Sequence, residues 1–130
     1  MRIAALYDIH GNLPALETVL EDVRRASVDQ VVVGGDVFPG PMSDESLQRL
    51  LDLELPVRFI QGNGDREVLA LAGGGEAGDI PEQYRETMRW VARRLDPQHR
   101  RAMASWPRSV RVEIDGLGGV LFRDERCTGS

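Results

Sequence analysis

The sequence predicts an α/β fold built on a parallel sheet, and three observations predict it. Short apolar runs recur at Arg2–Tyr7, in "QVVVGGD" and in "PVRFIQGNGD". Stretches with apolar residues at helical spacing lie between them. Each run also passes directly into a loop of glycine, aspartate or asparagine: "DIHGN", "GGD" and "GNGD". Strands joined by helices pair in parallel through right-handed crossovers. In open sheets of this kind ligands gather at the carboxyl ends of the strands, the edge on which all three loops fall.

"RIAALY" reads as a buried strand ending in Asp8. Asn12 then reads as an N-cap with Pro14 in the first turn. Leu13, Leu16, Val19, Leu20 and Val23 carry a helix to about Ala26. "QVVV" is a second buried strand, and Ser43 is expected to cap a helix whose core face is Leu47, Leu50 and Leu51. Asp44 and Glu45 suit the positive end of that helix. "PVRFIQGNGD" gives a third strand and a loop, and "GGGEAGDIP" (Gly73–Pro81) a flexible connection. Tyr84, Met88, Val91, Ala92 and Leu95 mark an amphipathic helix. Asp96-Pro97 opens a shorter one, on which His99 is expected to be solvated. "SVRVEIDGLGGVLF" alternates apolar and polar residues around Asp115-Gly116, a hairpin signal. With no internal repeat, residues 1–130 read as a single domain.

Composition bounds the function. A chain with 42% hydrophobic and 28% charged residues is an ordinary soluble domain. Its net charge of −5 argues against a nucleic-acid surface, and its arginines are scattered along the sequence without forming a stripe. The single cysteine, Cys127, allows no intramolecular disulfide. No apolar stretch is long enough for a bilayer and no leader pattern opens the chain, so a cytoplasmic location without a membrane partner is expected.

Asp8 and His10 stand two apart where a strand loosens into a loop, a spacing that lets a carboxylate and an imidazole turn toward one ion. Asp36, after Gly34-Gly35, is placed to bridge two cations from the same crevice. Asn63, between Gly62 and Gly64, offers an amide oxygen to the second ion. Hard oxygen donors with one imidazole suit Mn²⁺, Fe²⁺ or Zn²⁺. Taken singly these are ordinary turn residues. Their order, each after a strand, is what points to a metal site.

"DIHGN", "GGD" and "GNGD" resemble the first three motifs of the calcineurin-like metallophosphoesterases, D-x-H, G-D-x-x and G-N-x-D/E. The segment "LDPQHRRAMASWPRSVRVEIDGLGGVLF" resembles the passage of small bacterial members into their second sheet, so the likeness runs to about residue 122. The resemblance implies a two-sheet α/β sandwich with a dinuclear centre. It further implies hydrolysis of phosphomono- or phosphodiesters by a metal-bound hydroxide, with Mn²⁺ as the first expectation and Fe²⁺, Zn²⁺ or Ni²⁺ as alternatives. By the same resemblance Asp8 and His10 hold the first metal, Asp36 bridges, Asn63 binds the second, and Asp65 supports the loop from behind. Gly64 stands where many relatives carry a histidine that acts on the leaving group.

The family's G-H and G-H-x-H elements have no counterpart in this sequence, which implies a truncated second sheet, one moderately bound metal and a weaker second. Asp124 falls near the first missing histidine and is a candidate oxygen donor. Cys127 lacks the downstream arginine of a thiol phosphatase, and His10 replaces the second aspartate of a haloacid-dehalogenase-like enzyme. A hairpin at Val110–Phe122 without further strands is expected to leave an open edge and an uncovered apolar face, which a homodimer would cover. The reading from another class is an inactive metal-binding or protein-interaction module on the same fold.

Overall fold

The computed structural model describes residues 2–75, 80–114, 116 and 118–123. Strand β1 (Ile3–Leu6) leads to helix α1 (Leu13–Arg25), β2 (Gln30–Val33), α2 (Ser43–Leu51) and β3 (Val57–Phe59). Three further helices follow, α3 (Asn63–Ala72), α4 (Glu82–Arg94) and α5 (Pro97–Ala104). The antiparallel pair β4 (Ser109–Ile114) and β5 (Gly118–Arg123) comes last. The first three strands form a parallel sheet in the order β1-β2-β3. Their register sets Leu6 against Val33 and Val33 against Phe59, so the strands finish level and their outgoing loops leave side by side.

Strand β2 is buried on both faces, which is why it reads as an unbroken β-branched run. Val31 and Val33 point into a core filled by all five helices, including Leu16, Leu20, Leu47, Leu50, Val68 and Met103. Val32 points the other way, into a smaller cluster with Ile60, Val110 and Val112. Fully burying one such valine stabilises the fold by roughly 1.5–3 kcal/mol. Helices thus cover one face of the sheet and the hairpin covers the other. The inward face of β4 is therefore closed by the first sheet, a correction to the expected uncovered face. The outward Leu121 remains exposed. Phe59 stacks on Trp106 with centroids 4.7 Å apart, and Arg58 Nη1 donates to Arg111 O (3.1 Å), joining β3 to the hairpin.

Asn12 caps α1 as expected, its Oδ1 accepting from Ala15 N–H (3.2 Å). Ser43 does not cap α2: it is already helical, and its hydroxyl donates back to Gly40 O (3.0 Å), closing the loop before the helix. Val19, Leu51 and Tyr84, expected in the core, are exposed, because each lies at the rim of its helix's apolar stripe. The "GNGD" stretch, expected as a loop, opens a ten-residue helix: α3 begins at Asn63, and "REVLALA" carries it on.

His99 is also a correction, being buried rather than solvated. Its Nδ1 lies 2.6 Å from Asp44 Oδ1 and its Nε2 lies 3.0 Å from Gln48 Oε1, both on α2. Gln48 Nε2 donates to Asp52 Oδ1 (3.0 Å), which fixes the amide with its oxygen toward the ring. The ring thereby fastens α5 onto α2. Replacing His99 with leucine is expected to cost about 1–3 kcal/mol, because Asp44 and Gln48 lose their partner. A thermal midpoint lowered by several degrees checks this; an unchanged midpoint contradicts it.

Candidate metal centre

The level strand ends place three loops in contact, and backbone hydrogen bonds stitch them together. His10 N–H donates to Asp36 O (2.9 Å) and Gly11 N–H to Val37 O (3.0 Å), joining the first loop to the second. Gly64 N–H donates to Asp36 Oδ1 (2.9 Å), joining the third loop to the second. Only glycine fits at these crossings. A Cβ on Gly62 would lie 2.5 Å from Asp36 N and Oδ1, and one on Gly64 would lie 2.2 Å from Phe38 O.

Asp65 locks the arrangement from beneath. Its fully buried carboxylate accepts from Phe38 N–H on Oδ1 (3.0 Å) and from Asp36 N–H (3.0 Å) and Gly62 N–H (2.9 Å) on Oδ2. One side chain in the third position of α3 thus satisfies donors from two loops and caps its own helix. Burial pushes the Asp65 carboxyl up to about 7, with the Asp36 charge adding to the rise, while the three N–H donors pull it down.

Above this base, Asp8, His10 and Asp36 each present a ligand atom within 4.8 Å of the other two. His10 Nε2 lies 4.0 Å from Asp8 Oδ1. Their exposures differ: Asp36 is 1% exposed, whereas the Asp8 and His10 side chains are 64% and 40% exposed. All three take left-handed backbone conformations, with φ of 54°, 46° and 56°, and the only other non-glycine residue to do so among the described residues is Ser27. Such a conformation costs about 1–2 kcal/mol per residue. Three adjacent instances, held by the stitched loops, aim three side chains at one point. Two carboxylates and an imidazole around that point fit a divalent cation of the Mn²⁺, Fe²⁺ or Zn²⁺ kind.

Asn63 is the first residue of α3, and its neighbours on both sides touch Asp36. Its Oδ1 accepts from Arg66 Nη2, and Arg66 Nη1 donates to Gln61 O (3.3 Å). Arg66 was not singled out from the sequence. The available signal was its position three residues after Asn63, which on a helix places the two side chains together. Asp124 and Cys127 lie outside the described residues.

Comparison with known proteins identifies the family. The model of the calcineurin-like phosphoesterase superfamily domain matches residues 1–122. Among solved structures, a metallophosphoesterase from Sphaerobacter thermophilus superposes with a TM-score of 0.65 at 31% identity. The match covers 89% of this chain and 44% of that one, so the chain spans less than half the length of this relative. No curated protein is significantly similar. With that domain matching nearly the whole of its length, residues 1–122 of 130, the chain belongs to the calcineurin-like phosphoesterase superfamily.

Proposed function

We propose that this chain is a divalent-metal-dependent phosphoesterase acting on a small phosphomono- or phosphodiester, with Mn²⁺ as the preferred ion. One observation carries the reading: Asp8, His10 and Asp36 converge within 4.8 Å, each in a left-handed conformation at the end of a parallel strand. Asp8, His10 and Asp36 would hold the principal cation and Asn63 a second. Cations at such a site polarise a phosphoryl oxygen and lower the pKa of bound water.

The protein's own groups divide the remaining work. Buried Asp36 anchors the site, while the exposed Asp8 and His10 leave its outer side open to substrate. Gly64 supplies no proton donor, so ready leaving groups such as aryloxides are favoured substrates. Because Asn63 offers the second cation only a neutral amide oxygen, where Asp8 and Asp36 bring carboxylates to the first, the second is expected to bind at least about tenfold more weakly. The Arg66 guanidinium also brings a fixed positive charge to the place where phosphate oxygens would lie.

The neutral donor at Asn63 also favours the second reading, a metal-binding module without turnover. Hydrolysis of bis-p-nitrophenyl phosphate with and without Mn²⁺ separates the two. Turnover that requires the ion supports the phosphoesterase; ion binding without turnover supports the module. No helix among the described residues is long and apolar enough to cross a membrane. A cytoplasmic setting is part of the proposal, and so is a homodimer across the open hairpin edge, where Leu121 is exposed.

A further inference from the structure

Although the arginines look scattered along the sequence, the fold gathers four of them. Arg89 and Arg93, one turn apart on α4, face Arg100 and Arg101 on α5 across a groove of about 740 Å³. The groove's other walls are apolar, from Leu71 and Ala72 at the end of α3 to Ala92, Leu95 and Pro97, and among the described residues no aspartate or glutamate lines it. Among the described residues none of the four guanidinium groups has an ion pair or side-chain hydrogen bond. The chain as a whole carries more acids (21) than bases (16), so a groove whose described lining holds four arginines and no acid is a local reversal of its charge. Arg100 reaches across the end of α3, where a Cβ on Gly73 would lie 3.3 Å from its Nη2.

Four like charges around one cavity repel each other, and an anion between them removes that cost while gaining forked hydrogen bonds. The cavity has the volume of a small-molecule site, and apolar walls with a few convergent charges are the usual composition of one. The groove is also separate from the metal centre. Helix α3 begins at Asn63 in the centre and ends at the groove, and at 1.5 Å per residue its ten residues set the two roughly 13 Å apart.

We infer that this groove binds a small organic polyphosphate, its phosphates on the four arginines and its apolar part against Leu71, Ala92 and Leu95. A nucleoside triphosphate is the class that matches both the charge and the volume. A nucleic-acid strand fits less well, because a net charge of −5 repels a long polyanion outside the groove.

The test is calorimetric titration with ATP in EDTA, which keeps the metal centre out of the measurement. Wild type, Asp8→Ala and the double variant Arg93→Gln/Arg100→Gln are compared, with circular dichroism confirming that each is folded. Wild type and Asp8→Ala are expected to bind one ATP per chain alike, and the double variant at least about tenfold more weakly. Pyrophosphate, which lacks the apolar part, is expected to bind more weakly than ATP. The inference is overturned if wild type does not bind, if the double variant binds as wild type does, or if Asp8→Ala loses binding. It is overturned equally if pyrophosphate matches ATP, or if a 20-nucleotide single-stranded RNA binds more tightly than ATP through the same arginines.

Discussion

Replacing Asp36 with asparagine is expected to lower Mn²⁺ affinity by at least about 100-fold and to reduce Mn²⁺-dependent hydrolysis of bis-p-nitrophenyl phosphate to the level of buffer. The bound follows from comparison: removing even an outer hydrogen-bond partner of a metal ligand costs about 10–100-fold, and Asp36 is proposed as a ligand itself. Asparagine preserves the shape, and its amide oxygen still accepts from Gly64 N–H, a bond that is 2.9 Å long in the native chain. What the substitution removes is the buried negative charge. A folded variant that binds Mn²⁺ with native affinity would show that Asp36 is structural only. Calorimetry on the folded variant reads affinity directly, so the result does not depend on whether turnover is detectable.

The second large effect is on stability. Asp65→Ala strands the buried N–H groups of Asp36, Phe38 and Gly62, each at about 1–3 kcal/mol. The sum is a large share of the 5–15 kcal/mol that holds a typical domain together. A thermal midpoint lowered by about 10 °C or more is expected, with weakened metal binding as the loops separate. A drop of only one or two degrees would mean that the three loops are held by other contacts.

Asp65 also sets a pH dependence. Its carboxyl is raised by burial from 3.8 to about 7, so between those values the folded chain binds a proton that the unfolded chain does not. The contribution is complete below about pH 4 and is lost as the pH rises through about 7. The midpoint of the metal-free protein should therefore fall across this window, and Asp65→Asn should flatten that part of the curve. A wild-type midpoint that rises steadily over the same range would contradict the assignment.

The framework of this fold is carried by local patterns, and those were legible. "RIAALY" is too short for a helix and "QVVV" is both short and β-branched, and the glycines after them mark where the chain turns toward the site. Asp8, His10 and Asp36 were legible for the same reason, since each follows closely on the end of a strand. What escaped depends on partners distant in sequence. His99 looks solvated beside Gln98 and Arg100, and only the docking of α5 onto α2 brings Asp44 and Gln48 to its ring from more than fifty residues away. The four-arginine groove exists only where α4 and α5 face each other. Arg66 and the start of α3 were obscured differently, because "GNGD" has the composition of a loop while serving as the first turn of a helix.

Metal binding by the wild-type chain tests the central claim most directly. Titrated with Mn²⁺ after chelation and dialysis, the protein is predicted to take up one ion per chain tightly and a second at least about tenfold more weakly. No saturable uptake would mean that Asp8, His10 and Asp36 do not form a metal centre, and two equally tight ions would contradict the subordinate role of Asn63.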